Sequence, residues 1–258
     1  MEIRSVPAAA GRLLEGIGDI VYPAVCPVCG DKLPFAPAFR AGGSPARMRV
    51  HEKCRDSFML IEEPYCLKCG KPVQAEGDEY CYDCLHTDHQ FERGRSLWIY
   101  SDAAAASIFA YKYGGRQEYA KFYAEEVWRN LKDYIKDADP DILVPVPISP
   151  AKLAERGFNQ AELIAGNIGD LAGIKTYGDL LFRVRKTTPQ KELGRNARLA
   201  NLRKAFRVRE DADIQGLRIM LVDDVYTTGA TADACSRALK EAGAEQVWVL
   251  TLCTGAGA

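Results

Sequence analysis

The chain has almost no net charge, with 34 Lys and Arg set against 35 Asp and Glu in 258 residues. Taken whole, it is not an electrostatic binder of nucleic acid. No apolar run approaches the length of a membrane span, which argues against insertion into a bilayer. The opening residues, MEIRSVPAAAGRLLEGIGDIVYP, carry Glu15 and Asp19 and lack the continuous apolar stretch of a secretory signal. The expected location is therefore the cytoplasm, where thiols stay reduced. Apolar residues make up 47% of the chain, enough for a sizeable core and too many for a disordered protein. The length allows two domains or one large one.

Nine cysteines in a reducing compartment need a reason, and their distribution supplies it. Seven fall between Cys26 and Cys84, in the pairs Cys26/Cys29, Cys66/Cys69 and Cys81/Cys84, with Cys54 preceded by His51 at the same spacing. Four such knuckles offer eight ligands, enough for two structural Zn²⁺ ions in tetrahedral sites. Glycine follows the first and third knuckles, where a tight turn must aim two sulfurs at one metal. Sequential pairing puts Cys26, Cys29, His51 and Cys54 on one ion and Cys66, Cys69, Cys81 and Cys84 on the other. The short interval between the third and fourth knuckles favours this double ribbon, with a cross-braced arrangement as the alternative. His86 reads as a surface residue and His89 stands at ligand spacing from nothing. Cys235 and Cys253 read as small buried apolar residues. The ribbon module is expected over residues 1–90 and an α/β domain over 91–258.

Residues 1–22 form at best a short amphipathic helix, and PFAPAFRAGGSPARM (34–48) reads as a loop. From Leu97 onward the pattern is β-then-α. SLWIY, residues 140–147, RIMLVDDV and QVWVLTLC read as strands, alternating with helical stretches, one of them broken at Gly114-Gly115. That rhythm predicts a parallel sheet with helices on both faces. Ligands of such sheets bind outside the carboxyl ends of the strands.

The most informative segment is IMLVDDVYTTGAT, residues 219–231. A buried-strand run ends in two carboxylates, Asp223 and Asp224, then a loop of Thr227, Thr228, Gly229, Ala230 and Thr231 enters a helix. Backbone N–H groups at a helix N-terminus suit a phosphate, and paired carboxylates accept hydrogen bonds from a vicinal diol. Together they describe a ribose 5-phosphate, although any strand-to-helix turn of an α/β protein favours Asp, Thr and Gly. A second segment, PVPISPAKLAERGFNQAE (145–162), brings Lys152 and Arg156 just past a strand, where cations and N–H groups meet either a pyrophosphate or solvent. A third, residues 183–209, holds ten Lys and Arg against the single acid Glu192. Such an island either closes over a polyanionic ligand or tracks nucleic-acid phosphates.

The segment 219–231 resembles the phosphoribosyl-pyrophosphate (PRPP) motif of type I phosphoribosyltransferases. In their order, CPVCG, CLKCG, YKYGG, PVPISPAKLAERGFNQAE, RKTTPQKELGRNARLANLRKAF and LVDDVYTTGAT resemble the ComF (ComFC-type) family, over nearly the whole chain. RGFNQ and the pattern of Thr187, Gln190, Leu193, Arg198 and Asn201 distinguish that family. The resemblance implies a type I phosphoribosyltransferase-like parallel sheet flanked by helices, with an N-terminal double zinc ribbon. It implies ribose hydroxyls on Asp223 and Asp224 and the 5-phosphate on Thr227 to Thr231. Pyrophosphate would lie on Lys152, Arg156 and Gly157, with Lys186 adding charge and Mg²⁺ accompanying PRPP. It also implies a role in DNA uptake and processing in natural competence, with links to single-stranded DNA, for which Arg195, Arg198 and Arg203 are the candidate contacts, and to competence or recombination proteins. His51 departs from the family, which has cysteine there, and imidazole keeps the site a zinc site.

Two functional readings result. One is a Mg²⁺-dependent phosphoribosyltransferase of nucleotide metabolism or salvage, working through positioning and electrostatics. The other is a DNA-handling protein that binds PRPP or a related phosphate. No segment reads as a base-binding hood, and the zinc module takes its place in the sequence, which favours the second.

Overall fold

In the computed structural model Ile219, Met220, Leu221 and Val222 are each at most 1% exposed. Successive strand residues point to opposite faces, so the sheet is covered on both faces at this point. The structure describes residues 24–34, 49–73, 75, 77–184 and 205–255, in two compact units, Met1–Ser57 and Phe58–Ala258. The expectations for residues 1–22, for nearly all of the loop 34–48, and for Lys186, Arg195, Arg198 and Arg203 fall outside the described residues.

In the first unit a turn at Cys26–Gly30 and a short helix, α1 (Glu52–Arg55), carry the first two knuckles. The second unit opens with the matching pieces, a turn at Cys66–Gly70 and α2 (Tyr82–His86). Next in the chain are β1 (Gly94–Ile99), α3 (Asp102–Tyr113), α4 (Tyr119–Ala138), β2 (Ile142–Pro145), α5 (Pro150–Arg156), α6 (Gln160–Ala172) and β3 (Lys175–Thr176). After these come β4 (Leu181–Arg183), β5 (Phe206–Val208), β6 (Arg218–Tyr226), α7 (Ala230–Glu241) and β7 (Gln246–Thr254).

The expected parallel sheet is present. Its order is β1-β7-β6-β2-β3, with every neighbouring pair parallel. Helices α4 and α6 pack against each other and on the strands, while α7 packs on β6, β7 and the separate hairpin β4–β5. The helix break foreseen at Gly114-Gly115 separates α3 from α4, and Gly115 takes φ +66°, a conformation only glycine adopts freely. Ser101 caps α3 by accepting from the Ala104 N–H, and Ser149 caps α5 with Pro150 behind it.

This topology places the candidate site. Pro145 pairs with Val222, so the chain leaves β2 and enters the carboxylate pair of β6 side by side at one edge of the sheet. The hairpin β4–β5 forms the base of the basic island. Its residues Leu181, Ala205 and Phe206 belong to the same buried cluster as Val146 and Ala232. The two ends of the island are thus packed into the same core as the end of β2 and the start of α7.

Leu143, fully buried in β2, is a test of this core. Leu143→Ala is expected to cost about 3 kcal/mol, the removed methyl groups plus the cavity left behind. Denaturant unfolding measures it as a lower midpoint at unchanged slope.

Candidate functional site

Asp223 and Asp224 end the buried run of β6. The Asp224 N–H donates to Asp223 Oδ1 at 2.8 Å. Burial, with the charge of Asp224 second, pushes the half-buried Asp223 carboxyl up to about 7. The Asp224 carboxylate has a partner that sequence reasoning missed, Lys112, whose Nζ lies 2.8 Å from Oδ2 with both side chains mostly buried. Lys112 stands in the last turn of α3, within YKYGG, and that motif was the only signal for it. Beyond Tyr226 the chain turns through exposed Thr227 and Thr228 to Gly229, which caps α7 at φ +79°. Asp223, Tyr226, Thr227, Gly229 and Thr231 line one small, partly open cleft with Val146. One acid, two threonines and the N-terminus of α7 therefore converge on one space, while Asp224 meets Lys112.

The segment after β2 borders this cleft. Ser149 accepts from the Lys152 N–H, starting α5, and Gly157 ends that helix at φ +78°. The RGFNQ residues are mostly used in joining α5 to α6. Asn159 caps α6 by accepting from Ala161 N–H, and its amide donates to the Val146 carbonyl at 3.2 Å. Phe158 and Gln160 are buried, and the Tyr111 hydroxyl donates to the Gln160 carbonyl at 2.9 Å. The Arg156 guanidinium donates to Gln160 Oε1 and to the Tyr113 hydroxyl, each at 2.8 Å, and lies over the Tyr113 ring. Arg156 is thus held rigidly, whereas Lys152 is exposed and acts on Asp223 only through its charge. Cys235 and Cys253 are fully buried, as expected of small apolar residues. Burial, then the charge of Asp224, pushes the Cys253 thiol up to about 12, so it is no nucleophile at neutral pH.

The knuckles come together in sequential pairs. Ligand atoms of Cys26, Cys29, His51 and Cys54 lie within 4.8 Å of one another, and so do those of Cys66, Cys69, Cys81 and Cys84. The two clusters repeat one local design. Gly30 N–H bonds to Cys26 O and Gly70 N–H to Cys66 O, both glycines at φ +74°. His51 and Cys81 each stand just before a short helix that supplies Cys54 or Cys84. The donor set fits zinc. Sulfurs about 2.3 Å from one tetrahedral ion stand roughly 3.7–3.8 Å apart, and Cys69 Sγ and Cys81 Sγ are 3.6 Å apart. The thiols of Cys69 and Cys84 pull that of Cys66 down, and Cys66 in turn pushes theirs up. A divalent cation relieves that crowding by taking all four as thiolates. His86 is exposed, as read, but His89 is buried against Asp233, a contact its spacing did not reveal.

Two outcomes test this geometry. Metal analysis of unchelated protein is expected to give two zinc equivalents, and Cys66→Ser one, with loss of thermal stability, because ligation is folding energy in so small a module. Asp223→Asn, which fixes the neutral shape of the carboxyl, reads the raised Asp223. A carboxyl lifted from 3.8 to about 7 binds its proton more tightly in the folded chain. It therefore withdraws stability as pH rises through that window. Relative to the unaltered chain the variant is expected to gain about 1–2 kcal/mol between pH 5 and pH 8, the shift being discounted for partial exposure.

Residues 17–85 match the model of the double zinc ribbon domain. Competence protein ComFC of Streptococcus pneumoniae is 31% identical over 210 residues, covering 77% of this chain and 84% of that one. DNA utilization protein YhgH of Salmonella typhimurium is 30% identical over 191 residues, covering 73% and 83%. Among solved structures, a purine phosphoribosyltransferase from Pyrococcus horikoshii aligns with 52% of this chain and 74% of its own, at 16% identity and a TM-score of 0.35. No helix of the described residues is long and apolar enough to cross a membrane. Relatedness of about 30% identity across most of both sequences makes this chain a member of the family of competence protein ComFC and DNA utilization protein YhgH, with a double zinc ribbon over residues 17–85.

Proposed function

We propose that the crevice at the end of β6 binds a ribose 5-phosphate group, as PRPP carries it, and that the protein acts in the uptake or processing of DNA. One observation carries the first part. Asp223 and a glycine-capped helix N-terminus line the same cleft, with Asp224 next to it in the strand, giving acceptors for a diol beside donors for a phosphate. The ribose hydroxyls donate to Asp223 and Asp224, and the 5-phosphate accepts from the backbone of Thr227 to Thr231. Lys152, Arg156, Gly157 and Lys186 face the pyrophosphate, with Mg²⁺ offsetting part of its charge. Lys112 neutralises Asp224 in the free chain.

The second part rests on the family and on the charge of residues 183–209. That stretch carries ten cations against one acid; Arg209 at its end pairs with Asp179 and Asp211, and β4–β5 joins its ends to the buried cluster that also holds Val146 and Ala232. Single-stranded DNA is the proposed ligand, through Arg195, Arg198 and Arg203. Residues 1–90 then form the zinc-bearing module and 91–258 the ligand-binding domain, with competence or recombination proteins as partners. We assign binding rather than turnover because no segment of the sequence reads as a hood for an acceptor base.

Calorimetry with PRPP and Mg²⁺ tests the ribose site. The double variant Asp223→Ala, Asp224→Ala is expected to lose binding while its thermal unfolding stays cooperative, the relief at Asp223 being set against the loss of the Lys112–Asp224 pair. Unchanged affinity sinks the assignment. For DNA, replacing Arg195, Arg198 and Arg203 with Ala is expected to flatten the slope of log affinity against log salt by up to about two units. A triple variant that loses PRPP instead, with its DNA slope intact, makes the island a cover for the crevice.

A further inference from the structure

Between α2 and β1 the chain passes behind the phosphate loop, and His89 lies on that passage. Its side chain is wholly covered. The Nδ1–H donates to Asp233 Oδ2 at 2.8 Å, and the Gln90 N–H donates to the other oxygen at 2.9 Å. Asp233 stands in the first turn of α7, and its own N–H bonds to the Gly229 carbonyl at 2.8 Å. The imidazole stacks on Phe91, 4.9 Å between centroids, and Phe91 meets the Tyr226 ring edge-on. Gly229 rests on this group directly. A side chain there would strike the Tyr226 hydroxyl and come within 2.9 Å of His89 Cε1. His89 Nε2 is buried with no hydrogen-bond partner among the described residues.

A phenylalanine or leucine would fill this space beside Phe91 without burying an unpaired nitrogen, so a histidine here is a costly choice for packing alone. What the histidine adds is a directional bond to the helix turn that carries the loop's glycine. We propose that His89 is a positioning residue of the phosphate loop, and that through it the second cysteine cluster sets the loop's affinity for a 5-phosphate. This rests on the ribose-phosphate reading of the crevice.

The cysteines belong to the same packing unit. Cys66 and Cys69 lie in one buried cluster with Phe91, Tyr226, Ala232 and Cys235, and Cys81 and Cys84 pack against it. Lys71, next to the third knuckle, lies over the Tyr226 ring while bonded to Asp83 between the ligands of the fourth. An ion that orders the four sulfurs therefore orders the wall on which Gly229 and Tyr226 rest. Coupling of this kind is reciprocal: whatever factor zinc adds to phosphate affinity, phosphate adds to zinc affinity at that cluster.

The test uses the full zinc-loaded chain and ribose 5-phosphate. His89→Gly is expected to keep two zinc equivalents and bind ribose 5-phosphate about tenfold more weakly, and added imidazole, which fits the vacated space, is expected to restore affinity. Unchanged affinity in a folded, zinc-loaded His89→Gly overturns the proposal, and so does a loss that imidazole does not recover. Should His89→Gly fail to fold, the unaltered chain still decides. In equilibrium competition with a chromophoric chelator, saturating ribose 5-phosphate is expected to raise the affinity of one zinc and leave the other as it was. Equal zinc affinities with and without ligand overturn the proposal. If the unaltered chain does not bind ribose 5-phosphate at all, it is the ribose-phosphate reading that falls, and the positioning role with it. Binding that is lost in the Asp223→Ala, Asp224→Ala variant yet untouched in His89→Gly removes the positioning role alone.

Discussion

Burial of β6 on both faces, with β7 and β2 bonded along its two edges, is the constraint on which the site depends. A strand so enclosed has no place for a polar side chain until it reaches the edge of the sheet. Asp223 is where that edge begins. Because every pairing in the sheet is parallel, the ends of β2 and β6 emerge on the same side, and the loops leaving those two strands share one crevice. The glycine cap of α7 and the lysine at the end of α3 are then brought to the carboxylates by the fold itself.

Two adjacent acids in such a place repel each other, and the chain answers unequally. Asp224 is neutralised by Lys112, while Asp223 is left to hold a proton to about neutral pH. That asymmetry stores an electrostatic demand which a ligand rich in hydroxyl donors can meet. The second cysteine cluster has an equally structural part. Its sulfurs lie in the same buried cluster as Tyr226 and Ala232, so the ribbon is a wall of the sheet domain as well as a module of its own.

Much of this was legible in the sequence, and for identifiable reasons. Ligand spacing is set by the turn that aims two sulfurs at one ion, so the four knuckles could be read directly, while their sequential pairing was favoured over a cross-braced one and is decided by the structure. The strand ending in Asp223-Asp224 was legible because a short apolar run closed by charge has few other meanings in an α/β chain. Lys112 was not, because an isolated lysine on a helix carries no periodic signal and its partner Asp224 lies far along the sequence. His89 was illegible for the opposite reason: its spacing relates it to no metal ligand, and its role is set by the distant Asp233 and Gly229. The hairpin β4–β5 escaped notice because three-residue strands separated by a long polar stretch show no alternation. The joining role of RGFNQ was not legible, because nothing in its spacing shows that Arg156 also fastens Gln160 and Tyr113.

The central claim is that a ribose 5-phosphate lies across the end of β6, and a crystal structure of the full chain grown with PRPP and Mg²⁺ tests it most directly. The account predicts density with ribose hydroxyls within hydrogen-bond distance of Asp223 and Asp224 and a phosphate on the backbone of Thr227 to Thr231, with Lys112 drawn off Asp224. PRPP bound elsewhere, or a Lys112–Asp224 pair still intact at saturating ligand, would contradict it.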